Sequence, residues 1–487
     1  MVDYELIVGL EVHVQLNTQT KLFCGCSTLF GQDPNTATCP VCLGHPGALP
    51  VLNEEAIRLA VVTGLALNGS IPPVTRWDRK NYFYPDLPKG YQISQLDHPV
   101  VGGGYLDLPA AEGQEPRRIR LTRAHLEEDA GKSLHDETSG TGDSRIDLNR
   151  AGTPLLEIVS EPDLRSAAEA KQYLSELKLL LEHLQVSDCN MEQGSLRVDA
   201  NVNLHVMVDG ERVATPIVEI KNLNSFRAVE RALEYESQRQ LAAFLADGKR
   251  IGQVPKQTRG WDDAAQITRV QREKEESADY RYFPDPDLVP IQLAADWVES
   301  LRARMSHRPA EIRQRLAGDL GLSDYDAGVL VAMGPACIAY FEQAIAAGGD
   351  AKRVSNWLQQ DITRSASELG VTLDQFPVPP AVLGELVARI GAGEFTTAQG
   401  KDLFQHLLSQ GGSVGEAAEA IGIEAVDESA LDELCQQLIA AHPQVVDDIR
   451  GGKAQAVGAM IGAARKIDRN ADPGKVRARL LELIQST

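Results

Sequence analysis

The chain has 487 residues, of which 43% are hydrophobic and 24% charged, and its formal net charge of -21 is acidic; this length and composition predict a globular protein of about two to four domains. The acidic charge excludes non-specific nucleic-acid binding over the whole surface, because neutralising phosphates requires clustered Lys and Arg. No apolar run approaches the roughly 18 residues of a membrane span, and the acidic start does not resemble a secretory signal, so we expect a cytoplasmic protein outside the membrane.

The opening segment, YELIVGLEVHVQL, alternates between apolar and polar residues and therefore predicts a β-strand. Glu11 and His13 share its polar face. At a rise of about 3.3 Å per residue, their backbones lie about 6.6 Å apart, which allows both side chains to reach one metal ion. The alternative, which is common in proteins, is a polar strand face that only contacts solvent.

The cysteines form the most regular pattern in the sequence. Cys24 with Cys26 and Cys39 with Cys42 make two close pairs separated by a loop. Two such pairs can supply four thiolates to a tetrahedral zinc ion, and four thiolates leave no open position for catalysis. We therefore predict a structural zinc site, with chance spacing as the alternative. Core packing is predicted for the other three cysteines, Cys189, Cys337 and Cys435.

The segment DRKNYFYPDLPKGYQ combines cations with aromatic residues. Lys80 and Lys89 are available to contact phosphate groups, together with Arg79. The aromatic residues between them either stack on a ligand or pack in the core, and core packing is the more frequent role.

The segment HLEEDAGKS, at 125–133, ends in a Gly-Lys-Ser triplet. A phosphate loop needs a second glycine five positions earlier, where this chain has Leu126, so that pattern fails. The acids at 127–129, including Glu128, offer oxygen ligands to a metal ion, and Lys132 remains available to a phosphate. The alternative is a solvated, charged turn.

Three further segments add charged residues to predicted strands. Glu157 lies in LLEIVSEPD, Asp199 lies on the polar face of SLRVDANVNLHV, and Lys221 lies beside Glu219 in PIVEIKNLNSF. The polar faces of these strands carry acidic, amide and basic side chains, which suggests that the strands together form one polar surface, the polar floor of a site. Such a floor suits Mg²⁺, which prefers a few carboxylates, several waters and the oxygens of a nucleotide phosphate.

The pattern changes after a proline-rich junction at 284–290, beyond which apolar residues recur at helical spacing. We therefore predict an α+β fold. It comprises a large sheet-rich cradle domain at 1–293 with the zinc-binding loop, a helical domain at 294–408 and a small helical tail domain at 409–487.

The end of the chain is basic. Between Arg450 and Thr487 there are eight basic residues and three acidic ones, which gives a local charge of +5 on an acidic chain. This patch predicts an anionic partner such as a nucleic acid. The alternatives are a helical surface that is basic by chance or one that docks an acidic protein.

At these segments the chain resembles the B subunit of the tRNA-dependent amidotransferase, a heterotrimeric ligase of protein biosynthesis. The matching stretches are GLEVHVQL, RKNYFYPDLPKGYQISQ, HLEEDAGKS, DLNRAGTPLLEIVSEPD, MEQGSLRVDANV, EIKNLNSF and DYRYFPDPD. The basic end resembles the tRNA-binding tail of that family. The resemblance covers nearly the whole chain.

The resemblance implies an ATP-dependent, glutamine-hydrolysing amidotransferase. ATP would phosphorylate the side-chain carboxylate of Glu-tRNA(Gln), Asp-tRNA(Asn) or both, and ammonia would displace the phosphate to give Gln-tRNA(Gln) or Asn-tRNA(Asn). The implied cofactors are ATP, Mg²⁺ and a structural Zn²⁺. The implied partners are an amidase (glutaminase), which is the A subunit and releases ammonia from glutamine, a small C subunit, and tRNA(Gln) or tRNA(Asn).

The matching motifs also imply roles for individual residues. The implied catalytic residues, which would also hold magnesium, are Glu11, His13, Glu128, Glu157 and Asp199. The implied phosphate-binding residues are Lys80, Lys89, Lys132 and Lys221. The implied tRNA-binding residues are Lys466, Arg469, Lys475, Arg477 and Arg479.

Two other functions remain alternatives. One is a stand-alone metal-dependent kinase or ligase that acts on a small carboxylate. The other is a non-catalytic, zinc-bearing scaffold that binds tRNA. The amidotransferase interpretation requires Glu11, Glu128 and Asp199 to meet in one cleft.

Overall fold

The computed structural model describes residues 3–110, 116–135, 144–273, 280–423, 428–451, 454–467 and 473–485. The chain divides into two compact units, Met1–Pro309 and Ala310–Thr487. The described part of the first unit is rich in strands, and the second unit is built from helices. The predicted α+β fold is therefore confirmed.

Among the described residues, the strands all lie in the first unit, together with four α-helices. In chain order the strands are β1 (Tyr4–Gln15), β2 (Val74–Thr75), β3 (Asp78–Asn81), β4 (Tyr91–Ser94), β5 (Val101–Gly102), β6 (Tyr105–Leu108), β7 (Arg117–Glu128), β8 (Lys132–His135), β9 (Ser144–Asp147), β10 (Pro154–Ser160), β11 (Leu196–Val208), β12 (Glu211–Ala214), β13 (Val218–Lys221), β14 (Gln257–Asp262), β15 (Ile267–Glu273), β16 (Phe283–Pro284) and β17 (Ile291–Gln292). The helices are α1 (Glu54–Ala66), α2 (Ala167–His183), α3 (Phe226–Asp247) and α4 (Ala295–Arg304).

Within the described residues, ten of these strands form one sheet, in which the main order is β15-β14-β13-β11-β1-β10-β7-β5. Strand β12 adds to β11, and β6 adds to β7. The long central strands β1, β10, β11 and β7 are antiparallel to their neighbours. This arrangement brings segments that are distant in sequence side by side, with a register fixed by the ladder.

One face of the sheet is apolar, as the alternation in β1 predicts. Leu10, Val12 and Val14 are buried in a core that also contains Leu174 of α2 and Val229 of α3. The opposite face carries the polar residues of the same strands, because successive side chains in a strand point to opposite faces. The core thus fixes the register of the strands, and with it the positions of the polar side chains.

Side-chain caps define where the covering helices begin. Asn53 accepts a hydrogen bond from the backbone of Glu55 at the start of α1, and Ser166 caps α2 in the same way. Ser225 caps α3. Each cap satisfies a backbone N–H group that has no partner inside the helix.

The second unit consists of short helices. They are α5 (Pro309–Gly318), α6 (Asp324–Ala332), α7 (Pro335–Ala346), α8 (Ala351–Trp357), α9 (Thr363–Leu369), α10 (Pro380–Gly391), α11 (Thr397–Gln410), α12 (Val414–Ile421), α13 (Glu428–Ala441), α14 (Pro443–Arg450), α15 (Val457–Ile467) and α16 (Pro473–Gln485), with a π-helix at Leu358–Ile362. The last four helices share a core that contains Leu438, Met460 and Leu480.

The second predicted domain boundary falls within a helix, whereas the first falls just before α4. Helix α4 lies beyond the 293/294 boundary, but its Leu301 and Trp297 pack on the core of the first unit. Helix α11 continues through the 408/409 boundary and ends at Gln410, before Gly411. Helix α4 thus packs with the first unit through apolar contacts, and α11 continues without interruption past residue 409.

No helix in the described ranges is long and apolar enough to span a bilayer.

Candidate active site

Four polar side chains form a row across the centre of the large sheet. The register places His13 of β1 opposite Glu157 of β10 on one side and opposite Arg197 of β11 on the other. Glu157 in turn lies opposite His125 of β7. Because directly opposed residues share a face of a sheet, all four side chains belong to the polar face.

This row forms a compact charged cluster. The Nε2 atoms of His13 and His125 each lie 3.4 Å from Oε2 of Glu157. Glu127 follows His125 on the same face of β7, and candidate ligand atoms of His13, Glu127 and Glu157 lie within 4.8 Å of one another. These three side chains could hold a metal ion.

The cluster favours ionised carboxylates. Burial disfavours the charge of Glu157, yet the imidazoles of His125 and His13 hold the pKa of Glu157 well below its usual value. Burial also disfavours a protonated His13, but Glu157 and Glu127 outweigh it and raise the pKa of His13. Glu127 is likewise buried, and a hydrogen bond with His125 lowers the pKa of Glu127. The carboxylates of Glu157 and Glu127 are therefore ionised, and their oxygens can bind a metal ion without first losing a proton.

A second acidic group lies one step along the same strands. Glu11 of β1 faces Asp199 of β11, and Glu219 of β13 completes a group whose oxygens lie within 4.8 Å of one another. Lys221 contacts both Asp199 and Glu219, at 3.2 Å from Oε1 of Glu219. Asn201 donates a hydrogen bond of 2.7 Å to Glu11.

Asn201 also indicates that this group is incomplete. Its Oδ1 atom is buried and has no hydrogen-bond partner among the described residues. A buried amide oxygen without a partner is costly. A cation or a water molecule beside Glu11 would satisfy it, and the donor set of carboxylate and amide oxygens is the one that Mg²⁺ prefers.

A cavity of about 350 Å³ opens above these groups. Its lining includes three cations and three groups of the acidic clusters: Lys80, Arg197, Lys221, His13, Glu127 and Asp199. The volume falls within the range of about 300–1,000 Å³ that is usual for small-molecule sites. The cavity therefore combines candidate metal ligands with candidate phosphate-binding cations.

Two of the cations are held in place. The Nζ atom of Lys80 lies over the rings of Tyr280 and Tyr82, at 5.1 and 5.9 Å from their centroids. Burial disfavours the charge of Lys80, but Glu127 and other nearby groups outweigh it and raise its pKa. Arg197 donates a 2.7 Å hydrogen bond from Nη2 to the buried carboxylate of Asp129. Both cations are thus charged and oriented at the cavity wall.

The structure brings most of the sequence-predicted residues to this cavity. His13, Lys80, Asp199 and Lys221 line it, and Glu11 and Glu157 belong to the acidic groups beside it. The predicted polar floor is therefore present, with carboxylates from strands that are distant in sequence.

Glu128, Lys89 and Lys132 do not join this group. Strand β7 continues through Glu128, so the carboxylate of Glu128 points to the face opposite that of Glu127. There it pairs with Lys89 and accepts a hydrogen bond from the backbone of Ile93. Lys132 lies exposed on the β8–β9 hairpin. The expectation that Glu128 meets Glu11 and Asp199 in one cleft is wrong for this reason.

The solvated turn considered for HLEEDAGKS is also wrong, because His125–Asp129 are buried and mostly in β7. The residue roles implied by the resemblance left out Glu127, Glu219 and Arg197, which belong to the site. Strand parity carries the signal for Glu127, since residues two apart share a face and His125 lies opposite Glu157.

The four predicted zinc ligands come together. The Sγ atoms of Cys24, Cys26, Cys39 and Cys42 lie within 4.8 Å of one another, and those of Cys39 and Cys42 are 3.9 Å apart. Tetrahedral zinc with Zn–S bonds of about 2.3 Å needs S···S separations of about 3.8 Å. A hydrogen bond from Cys24 lowers the pKa of Cys42 to about 4, with a further contribution from Lys21. The geometry and the donor set both fit zinc.

The loop that carries the four cysteines also packs on the Lys89–Glu128 pair. Gly44 has a φ of +69°, and a Cβ atom there would lie 2.6 Å from Cγ of Lys89. Any larger residue at Gly44 would displace Lys89. The loop therefore supports a buried ion pair that lies next to the cavity-lining strand of Gln92.

The basic tail shows a divided pattern. Arg477 is exposed on α16, whereas Arg479 pairs with Asp432 of α13 and with Glu482. Lys475 donates a 2.7 Å hydrogen bond to the carbonyl of Gly393. Two further predicted tRNA-binding residues cannot be placed: Arg469 and the side chain of Lys466 lie outside the described residues.

Comparison with known proteins gives matches along nearly the whole chain. Residues 6–299 match the model of the GatB/GatE catalytic domain, and residues 339–484 match that of the GatB domain. The B subunit of Aspartyl/glutamyl-tRNA(Asn/Gln) amidotransferase from Rhodopirellula baltica is 60% identical over 98% of this chain and 96% of its own length.

Proteins of the same name are similar in other bacteria. The protein of Moorella thermoacetica is 45% identical over 99% of this chain and 99% of its own length. That of Alkalilimnicola ehrlichii is 46% identical over 99% of this chain and 100% of its own length. The chain therefore belongs to the family of Aspartyl/glutamyl-tRNA(Asn/Gln) amidotransferase B subunits.

Proposed function

We propose that this chain activates and amidates the side-chain carboxylate of Glu-tRNA(Gln), Asp-tRNA(Asn) or both, at the expense of ATP. The observation that carries the proposal is a cavity in which two acidic groups meet three cations. A partner amidase, the A subunit, would supply ammonia from glutamine, and a small C subunit would complete the complex in the cytoplasm.

The proposed reaction explains why both signs of charge are needed. A carboxylate does not react with ammonia directly, because the leaving group would be oxide. Transfer of the γ-phosphoryl group of ATP to a carboxylate oxygen gives an acyl phosphate and ADP. Ammonia then attacks the carbonyl carbon and expels inorganic phosphate, which leaves the amide. Phosphoryl transfer depends mainly on positioning and on neutralising charge.

The acidic groups are proposed to hold magnesium. Glu11, Asp199 and Glu219 would hold one ion, and the buried Oδ1 of Asn201, which has no partner among the described residues, supports a cation there. The cluster of Glu127 and Glu157 offers a second position. Magnesium would neutralise charge on the phosphate oxygens when it is bound.

His13 is proposed to orient a carboxylate or carry a proton. Hard magnesium prefers oxygen ligands, and the imidazole of His13 already contacts Glu157. Burial opposes protonation of His13, but the neighbouring carboxylates outweigh it and raise the pKa of His13. The protonated imidazole would orient the carboxylate of Glu157 as a hydrogen-bond donor, while the proton that ammonia loses would leave with the phosphate.

The cations are proposed to bind phosphate oxygens. Lys80 and Arg197 line the cavity, and neither of them forms a hydrogen bond with a carboxylate of the two acidic groups. Lys221, in contrast, is held by Asp199. Lys221 would therefore be released when magnesium takes Asp199. Lys89 is assigned instead to the buried pair with Glu128, and Lys132 to the surface hairpin.

The zinc and the tail are proposed to have supporting roles. Zinc bound to Cys24, Cys26, Cys39 and Cys42 would fix the loop and take no part in the reaction, since four thiolates fill its coordination. The basic tail would bind tRNA through phosphate contacts, to which the exposed Arg477 would contribute.

The test is a complex reconstituted from this chain, the amidase and the small C subunit, assayed on Glu-tRNA(Gln) and Asp-tRNA(Asn) separately. We expect ATP-dependent amide formation, and Asp199→Asn should reduce it about 100-fold or more while glutamine hydrolysis continues. Asp107→Asn is the matched control, since Asp107 forms an exposed pair with Arg118. Unchanged amide formation by Asp199→Asn would support the scaffold alternative.

The remaining alternative is tested with the chain alone. Amide formation from a free amino acid, ATP and ammonium would support a stand-alone ligase. Strict dependence on aminoacyl-tRNA supports the proposed function.

A further inference from the structure

Lys21 is a lysine in an unusual position. Its relative exposure is 0%, which places it among the most deeply buried large side chains of the described chain. Lysine is almost never fully buried unless an anion pairs with it. Among the described residues, no acidic side chain forms an ion pair with Lys21.

The contacts of Lys21 are two carbonyl groups and a sulfur atom. Its Nζ atom donates a hydrogen bond of 2.8 Å to the carbonyl of Ala37 and one of 3.4 Å to that of Leu148. The same atom lies 3.6 Å from Sγ of Cys42. Carbonyl groups satisfy the N–H donors but carry no net charge, so they do not compensate the ammonium ion.

The energetics of burial require a negative partner. Taking an ammonium ion out of water costs several kcal/mol even after relaxation of the protein, and the cost is offset only by a nearby anion. The nearest group able to supply negative charge is the thiolate of Cys42. Four thiolates around one Zn²⁺ carry a net charge of about −2, spread over all four sulfur atoms.

We infer that Lys21 is the buried counter-charge of the metal–thiolate centre formed by Cys24, Cys26, Cys39 and Cys42. It donates an N–H···S contact to Cys42 and neutralises half of the excess negative charge. The backbone N–H of Cys39 donates a second such contact to the same sulfur atom, at 3.2 Å. Lys21 is thus a positioning residue that acts on the metal through its ligand.

If Lys21 strengthens zinc binding, it must stabilise the zinc-loaded fold more than the zinc-free fold. With the metal bound, the lysine compensates the negative charge that the four sulfur atoms share. With the metal removed, that charge is smaller, and so is the contribution of Lys21 to stability. A role limited to the hydrogen bonds with Ala37 and Leu148 would contribute equally in both states.

The first experiment measures metal affinity in the full-length protein. We expect one zinc ion per chain, and Lys21→Met should weaken zinc binding about 10- to 100-fold in competition with a chromophoric chelator. Lys21→Gln removes the charge but keeps a hydrogen-bond donor, so it should lose a similar factor. Lys21→Arg should retain most of the affinity. Lys178→Met, on the surface of α2, controls for the loss of a lysine elsewhere.

The second experiment compares urea unfolding of zinc-loaded and chelator-treated protein. Lys21→Met should lower the urea midpoint of unfolding by more when zinc is bound than when it is removed. Should Lys21→Met not accumulate as folded protein, Lys21→Gln gives the same comparison. Cobalt substitution provides a spectroscopic readout, since thiolate-to-cobalt absorption should appear at higher cobalt concentration in the variant.

Three outcomes would overturn the inference. They are equal zinc affinity in Lys21→Met and the parent, a loss of stability of equal size in both metal states, and a parent protein that binds no zinc. None of these outcomes bears on amide formation, which is measured separately in the reconstituted complex.

Discussion

The replacement Asp129→Asn tests how the cavity wall is held. The Asp129 side chain is only 2% exposed and accepts hydrogen bonds of 2.7 Å from Gln15 and from Arg197. Arg150 lies 3.5 Å away on the same carboxylate. Asparagine keeps the shape of the side chain but removes the charge that both arginines face.

Removing one partner of a buried ion pair costs about 3–5 kcal/mol. The side chains of Arg197 and Arg150 are 39% and 29% exposed, so water can partly replace the lost carboxylate. We therefore expect the first unit to lose about 2–3 kcal/mol of unfolding free energy at pH 7. Asp107→Asn, which breaks an exposed pair with Arg118, should cause no measurable loss.

The assay is urea unfolding followed by tryptophan fluorescence in a Trp357→Phe background. The remaining tryptophans, Trp77, Trp261 and Trp297, all lie in the first unit, so the signal does not mix the two units. A loss in Asp129→Asn no larger than that in Asp107→Asn would refute the claim that the buried carboxylate organises the cavity wall.

The same pair of proteins gives a pH dependence with a defined sign. Burial disfavours the charge of Asp129, but Arg197 and Arg150 outweigh it and lower its pKa in the folded state. The stabilisation is therefore complete above the unfolded-state pKa of about 3.9 and is lost as the pH falls through the lower folded-state pKa. The difference between parent and Asp129→Asn should persist at pH 5 and shrink below about pH 4. A difference that stays constant to about pH 3 would contradict the assignment.

Three further changes separate the roles of individual cations and acids. Arg197→Lys should raise the KM for ATP about 10-fold or more in the reconstituted complex, because lysine cannot bond Asp129 and a phosphate at once. Glu128→Gln should lower the stability of the first unit by about 3–5 kcal/mol, since it leaves Lys89 unpaired, but should preserve magnesium-dependent ATP binding in equilibrium dialysis. Arg477→Glu should weaken the binding of tRNA, measured by filter binding, and raise the KM for tRNA with little change in kcat. Unchanged tRNA affinity would exclude Arg477 from the interface.

The sequence predicts the polar and apolar faces of β1 because alternation within one strand is a local property. Glu11 and His13 lie on the polar face as expected, and the α+β class follows from the change of pattern along the chain. The partners of these residues are not local. Glu157 meets His13 only because β10 pairs with β1 in an antiparallel register, which no spacing within either segment specifies.

Glu127 and Glu128 illustrate the same limit at the scale of one residue. Sequence patterns identified the acidic run but not whether it continues a strand or forms a turn. Since β7 extends through Glu128, adjacent acids point to opposite faces, and the one chosen from the motif faces Lys89. Similarly, the count of basic residues in the tail could not reveal that Arg479 is held by Asp432.

The length of the β1–β11 ladder restricts how this protein can diverge. Eleven consecutive residue pairs connect the two strands, and the charged groups of the site include the pairs Glu11–Asp199 and His13–Arg197, which lie two positions apart on one face. Inserting or deleting a single residue in either strand would exchange its inward and outward side chains and so move charges into the core. Insertions and deletions that preserve the site must therefore fall in the connections between strands, and the strands themselves can change only by substitution.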